Sequence, residues 1–206
     1  ARRAAFRLGA ELGRAGVGVV SGLARGIDRE AHDGCLQAAG RTVAVLGNGI
    51  DQVYPPSSRP SAMAILSRGG AILSEYPPGV PPLQYHFPAR NRIISGLCRG
   101  VVVVQAPEKS GALITAEHAL QEGRDLFVHR AGLAGSAGAG SRRLAEAGAV
   151  VIQAGAEILG EWGIPQGPAP ASSMPADMPH GERLAWLLEE ETSGTRARSG
   201  TPHWRV

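Results

Sequence analysis

Three segments of this sequence have the composition of anion-binding loops. They are SGLARGID at 21–28, GNG at 47–49 and EKSG at 108–111, and each follows a short apolar run that is typical of a strand. Backbone N–H groups in such loops, and at the start of a following helix, can bind phosphate. Any one of these loops is explained equally well as a glycine-rich turn that only reverses the direction of the chain. Several such loops at strand ends together favour a phosphate-binding surface.

A second candidate feature is the cationic and aromatic segment HFPARNR at 86–92. No acidic residue occurs between Tyr76 and Pro107, whereas Arg90, Arg92 and Arg99 do. Guanidinium groups for phosphate and an aromatic face for a base, here Phe87 or Tyr85, are the combination that holds single-stranded nucleic acid. The alternative interpretation is that one arginine pairs with Glu75 or Asp28 and that Phe87 packs into the core.

The sequence disfavours the common nucleotide-dependent enzymes. The dinucleotide fingerprint needs a third glycine after Gly47 and Gly49, but position 52 is Gln. Lys109 and Ser110 follow Pro107-Glu108 rather than the glycine-rich run of an ATP-binding P-loop. We therefore predict no cofactor.

Candidates for acid–base or metal chemistry are few. Asp28, His32 and Asp33 lie within about one helical turn, but a helix cap at Asp28 and a His32 that either packs in the core or bonds a backbone carbonyl explain them better. Glu75 and Glu117 remain possible lone acids. No catalytic triad or metal-ligand spacing occurs in the sequence.

Composition limits the class of protein further. The 206 residues carry 21 Lys+Arg and 18 Asp+Glu, and Lys109 is the single lysine. A net charge of +3 permits an anionic partner. Two cysteines suit a reducing cytoplasm, and no apolar run is long enough to span a membrane.

The apolar pattern predicts strands that alternate with helices, and these elements would position the candidate residues. Continuous apolar strands of this kind predict a doubly wound α/β domain with a mostly parallel sheet over residues 1–162. A Pro-rich linker is expected at 163–180, and a short helix with a basic tail at 181–206. The strands are expected at 17–21, 42–46, 71–74, 100–105, 125–129 and 149–152. The helices are expected at 2–15, 28–40, 58–68, 90–97, 111–122, 141–147 and 154–162.

These segments resemble the DNA-processing protein A family (DprA, also called Smf). The resemblance lies in SGLARGIDREAH at 21–32, TVAVLGNGIDQVYP at 42–55, ILSEYPPG at 72–79, FPARNRIISGL at 87–97 and VVVVQAPEKSGALITAEHAL at 101–120. It covers roughly residues 1–160 in the same order.

The resemblance implies an extended Rossmann-like domain that binds single-stranded DNA without being an enzyme. It also implies a homodimer that protects incoming DNA in natural transformation and helps to load the recombinase RecA. Carried over by motif, the implied nucleic-acid-binding residues are Ser21, Gly22, Arg25, Gly26, Phe87, Arg90, Asn91, Arg92, Lys109, Ser110 and Gly111.

The sequence also departs from the family pattern. Members carry an earlier strand that ends in Gly-Ser/Thr-Arg, and this chain is expected to lack that first strand. Residues 181–206 hold at most a remnant of the winged-helix domain found in many members. A related Rossmann-like family of nucleotide-binding or nucleoside-monophosphate phosphoribohydrolases is the alternative, although its Pro-Gly-Gly-x-Gly-Thr loop is absent. A third possibility is an inert product that only self-associates.

Overall fold

The computed structural model describes residues 1–165, which form one compact unit. Six strands alternate with seven α-helices in this unit, as the apolar pattern predicts. The strands are β1 (Val19–Ser21), β2 (Thr42–Leu46), β3 (Ala71–Ser74), β4 (Gly100–Val103), β5 (Asp125–His129) and β6 (Val150–Ile152). The helices are α1 (Arg2–Arg14), α2 (Ile27–Gln37), α3 (Arg59–Ser67), α4 (His86–Gly96), α5 (Gly111–Gln121), α6 (Ala139–Glu146) and α7 (Gly155–Glu161).

The predicted elements agree with the structure to within a few residues. The largest difference is at α4, which begins at His86 rather than Arg90 and so includes the end of the Pro-rich loop. A prolyl ring is compatible with the first turn of a helix, and Pro88 lies in that turn. The predicted linker beyond Pro165 and the predicted helix and tail at 181–206 lie outside the described residues.

All observed strand pairs are parallel, which confirms the predicted α/β class. The strands form two three-stranded sheets, ordered β1-β2-β3 and β4-β5-β6. Within residues 1–165, no strand pairs with the second edge of β1 or of β4. The single continuous sheet that the pattern predicts is therefore divided at its centre.

A groove with a volume of about 720 Å³ lies at this division. Apolar side chains of β1, β4, α1 and α4 line most of it, including Val19, Val102, Leu12 and Ile94. Asp28 and Arg90 line it as well. Both three-stranded sheets therefore keep the parallel α/β order, and the groove lies between them.

The handedness of the connections indicates where the family's first strand would lie relative to the groove. Helices α1 and α2 pack against each other, so they lie on the same side of the sheet. The right-handed connection through α2 leads from β1 to β2. A strand joined to β1 through α1 with the same handedness would lie on the other side of β1, in the groove.

The hydrophobic core is built on both halves of the sheet. One cluster joins α1 and α7 to Val104, Phe127 and Ile152, and a second packs α3 against β2 through Ile65 and Leu46. In residues 1–165, no helix is both long and apolar enough to cross a membrane. The two packed halves hold the carboxyl ends of the strands, where the candidate segments lie.

Candidate nucleic-acid interface

The predicted site segments follow the carboxyl ends of β1 and β4 and occupy the first turns of α4. Ser21 is the last residue of β1, and residues 22–26 form the loop before α2. Lys109 and Ser110 immediately precede α5. In a parallel sheet these ends share one edge, which is the usual ligand-binding edge of the fold.

Arg90 is the buried centre of this edge, with only 4% of its surface exposed. Its Nη1 donates hydrogen bonds to the carbonyl oxygens of Gly22, at 3.0 Å, and of Val45. Its Nε donates to Oδ1 of Asn91 at 3.2 Å. The side chain therefore ties the end of β1 to β2, and its observed contacts give it a positioning role.

The charge of Arg90 is balanced by one nearby carboxylate. Burial lowers the pKa of the guanidinium from its ordinary value, while the negative charge of Asp28 opposes that shift. A buried charge with several hydrogen bonds is costly to disturb, because removing it leaves its acceptors without partners.

Gly22 is required by this arrangement. A Cβ atom at position 22 would lie 2.5–2.7 Å from the guanidinium atoms of Arg90. Only glycine therefore lets the Arg90 side chain pass against the loop after β1. The SGLARG and FPARNR motifs, 60 residues apart in sequence, are parts of one packed unit.

Asn91 extends this unit to the loop before α5. It is buried, and its Nδ2 donates a hydrogen bond to the carbonyl oxygen of Gly111 at 3.1 Å. A continuous series of hydrogen bonds thus runs from Gly22 through Arg90 and Asn91 to Gly111. The series holds three separate segments in fixed relation: the loop after β1, the first turns of α4 and the start of α5.

Asp28 occupies part of the predicted phosphate loop. Its Oδ2 accepts hydrogen bonds from the backbone N–H groups of Gly22, at 3.1 Å, and Ala24, at 3.3 Å. The helix cap is Gly26, so the expectation that Asp28 caps α2 is wrong. Its carboxylate turns back to the loop because the loop places two N–H donors beside it.

His32 is fully buried beneath this loop. The hydroxyl of Thr42 donates to the carbonyl oxygen of Val19 at 2.6 Å, so it accepts from Nδ1 of His32, also at 2.6 Å. Of the two alternatives expected for His32, packing in the core is confirmed, whereas its hydrogen bond goes to a hydroxyl and not to a backbone carbonyl. Nε2 of His32 has no hydrogen-bond partner among residues 1–165. Burial lowers the pKa of His32 to about 4.

Three of the predicted site residues are exposed cations: Arg25, Arg92 and Lys109. Nε of Arg25 donates to the hydroxyl of Ser57 at 3.2 Å. Arg92 forms an ion pair with Glu75, which is one of the pairings the sequence left open. Lys109 forms no ion pair within the described part of the chain. These side chains are accessible to an anion, unlike that of Arg90.

The start of α5 offers further donors. Ser110 precedes the helix in an extended conformation and makes no side-chain cap bond. Its hydroxyl has no partner within the described part of the chain. The first backbone N–H groups of a helix lack intrahelical acceptors, so this end suits an anion.

Aromatic rings cluster around the start of α4, and sequence reasoning missed Tyr54 and Tyr76 among them. Phe87 lies 5.8 Å from Tyr54 between ring centroids, and His86 stacks on Tyr76 at 4.0 Å. Tyr85 is 68% exposed and meets His86 edge-on. The signal for Tyr54 was its place in the loop after a strand end, but no cation lies within four residues of it in the sequence.

Comparison with known protein families identifies the fold. The matching family model is DNA recombination-mediator protein A, and it covers residues 1–163. The chain belongs to this family. The resemblance suggested by the motifs is thereby confirmed.

Known members of the DNA recombination-mediator protein A family are similar over most of the described unit. The chain is 45% identical to DNA processing protein DprA of Streptococcus pneumoniae over 144 residues, which are 70% of this chain and 51% of that protein. It is 46% identical over 144 residues to protein Smf of Escherichia coli, covering 70% of this chain and 38% of that protein. The chain therefore spans about half the length, or less, of these relatives.

Solved structures of the family share the fold. The X-ray structure of DprA from Streptococcus pneumoniae has a TM-score of 0.70 at 41% identity, covering 78% of this chain and 57% of that one. DNA processing protein A from Helicobacter pylori, described for its unique single-stranded DNA binding mode, has a TM-score of 0.69 at 30% identity. That match covers 78% of this chain and 73% of the other, so the Rossmann-like class is confirmed.

Proposed function

We propose that this protein binds single-stranded DNA and acts as a recombination mediator that protects incoming DNA in natural transformation. The observation that carries the proposal is the series of hydrogen bonds from Gly22 to Gly111, which fixes the loop after β1, the first turns of α4 and the start of α5 relative to one another. These segments carry the exposed cations and the Phe87 ring. The DNA-binding mode described for the Helicobacter pylori relative supports the same ligand.

The predicted site residues divide into two roles in this proposal. Arg25, Arg92 and Lys109 hold phosphates with their exposed charges, and the backbone at Ser110 and Gly111 adds donors from the start of α5. Phe87 offers a face to a base. The remaining predicted residues, which shape the loops that carry these groups, are Ser21, Gly22, Gly26, Arg90 and Asn91.

We extend the proposal to a cytoplasmic homodimer that helps to load the recombinase RecA. These partners come from the family resemblance. The protein would act by binding rather than by catalysis, without a metal or cofactor. Of the two possible lone acids, Glu75 is engaged by Arg92 and Glu117 lies exposed on α5. Release of free base from nucleoside monophosphates would instead support the phosphoribohydrolase alternative.

Alanine variants of the exposed cations test this proposal. We expect Lys109→Ala and Arg92→Ala each to weaken binding of a labelled single-stranded 20-mer severalfold, and equally for oligo-dT and mixed sequences, because phosphate contacts carry no sequence information. Arg41→Ala is the matched control, since this exposed arginine directly precedes β2 at the opposite edge of the sheet. Equal losses in all three variants would contradict the assigned surface.

Removing the acid that pairs with Arg92 should have the opposite effect. Glu75→Gln is expected to raise affinity for single-stranded DNA about threefold, because an exposed ion pair contributes up to about 1 kcal/mol that phosphate binding must overcome. Fluorescence anisotropy at 50 mM salt measures the change, and the gain should shrink at 300 mM. Weaker binding by Glu75→Gln would show that the ion pair supports the site.

A further inference from the structure

Tyr54 presents an exposed ring beside Phe87, five residues after the GNG segment in the loop that follows β2. The ring planes are inclined by 32° with centroids 5.8 Å apart, and Tyr54 is 42% exposed. Phe87 is fixed against the end of β2, where a Cβ on Gly47 would lie 2.8 Å from its ring. The two rings form one apolar surface that continues from α4 to the loop after β2.

Hydrogen bonds to the rest of the edge hold the Tyr54 loop in place. Within the loop, Nδ2 of Asn48 donates to the carbonyl oxygen of Gln52 at 2.6 Å. Asp51 accepts from the backbone N–H of Gly79 at 2.9 Å. At the far end, the hydroxyl of Ser58 donates to the carbonyl oxygen of Leu23 at 2.9 Å. The exposed ring is therefore on a fixed loop, so a ligand that contacts it costs little ordering entropy.

The same loop carries a contact to an exposed cation. Nε of Arg25 donates to the hydroxyl of Ser57, three residues beyond Tyr54. This contact restrains the Arg25 guanidinium beside the loop that carries Tyr54, and the side chain remains exposed. An aromatic face with an adjacent cation can hold one nucleotide through its base and its phosphate.

We propose that Tyr54 and Phe87 form a two-ring platform for the bases of the single strand, with Arg25 holding a phosphate beside it. This inference rests on the proposed function and adds the loop at 48–58 to the binding surface. Stacking accepts every base because each has a π-face, so the platform adds affinity without sequence preference.

Ring removal combined with base removal tests the platform. We expect Tyr54→Ala to weaken binding of a single-stranded dT 12-mer about tenfold, and Tyr54→Phe to bind like the unchanged protein. On a 12-mer of abasic nucleotides, Tyr54→Ala should have no effect, because the phosphates remain and the stacked bases do not. Met63→Ala is the control for loss of an exposed apolar side chain, since Met63 is 60% exposed on α3.

The outcomes separate this inference from the proposed function. Unchanged dT affinity in Tyr54→Ala overturns the platform while leaving the function intact. An equal loss on dT and abasic 12-mers also overturns it, because the tyrosine would then act on the shape of the loop. Failure of the unchanged protein to bind either oligonucleotide would instead reject the proposed function itself.

Discussion

Replacing Arg90 with alanine is expected to lower the free energy of unfolding by about 3–5 kcal/mol. The substitution removes a buried guanidinium and leaves three acceptors without partners: the carbonyl oxygens of Gly22 and Val45, and Oδ1 of Asn91. Each unsatisfied acceptor costs about 1–3 kcal/mol when water cannot replace the donor. Urea denaturation of the full chain, followed by far-UV circular dichroism, measures the loss.

Arg92→Ala is the matched control for this experiment. The two arginines lie two residues apart on α4, but Arg92 is exposed and its one ion pair among residues 1–165 is with Glu75. Its replacement should change stability by less than about 1 kcal/mol. Similar stability losses in both variants would contradict the assignment of Arg90 as a positioning residue. We also expect Arg90→Ala to weaken DNA binding equally for all sequences, since it disturbs loops rather than base contacts.

Lowering the pH is expected to destabilise the protein through His32. Its folded pKa of about 4 lies below the ordinary value of 6.5, so between these values the unfolded chain binds a proton that the folded chain excludes. The contribution of His32 to the free energy of unfolding should therefore be fully present above pH 6.5. It should fall by about 3 kcal/mol as the pH drops towards 4. Burial is the main cause, with Asp28 and Asp33 opposing it and Arg90 adding to it.

His32→Gln isolates this contribution. Glutamine can donate to the Thr42 hydroxyl but does not titrate, so the stability difference between pH 7.5 and pH 4.5 should shrink in the variant. His129, whose pKa burial also lowers, stays in both proteins and cancels from the comparison. An equal pH dependence in the two proteins would show that His32 is not the responsible group.

The order of the helices and strands could be predicted from the sequence because the apolar runs are short, β-branched and separated by glycine. Thr42–Leu46 and Asp125–His129 match their predicted bounds for this reason. The divided sheet could not be predicted from periodicity, because β1 and β4 have the same apolar composition whether their outer edges are paired or free. Strand pairing is a property of the assembled sheet.

The roles of the arginines could not be predicted because the buried face of α4 is polar. His86, Arg90, Asn91 and Ser95 form that face at helical spacing, so no apolar stripe distinguishes Arg90 from the exposed Arg92. The acceptors of Arg90 are backbone carbonyls, which leave no mark in a side-chain pattern. Motif strings identified the segments that meet at this edge of the sheet but not which of their side chains face solvent.

Binding of labelled oligo-dT at two salt concentrations tests the central claim most directly. With phosphates held by Arg25, Arg92 and Lys109, the dissociation constant of a dT 20-mer should rise about 20-fold between 50 and 200 mM NaCl, and a duplex of equal length should bind more weakly at both. An affinity that does not change with salt, or equal affinity for the duplex, would contradict a single-stranded DNA site at this edge of the sheet.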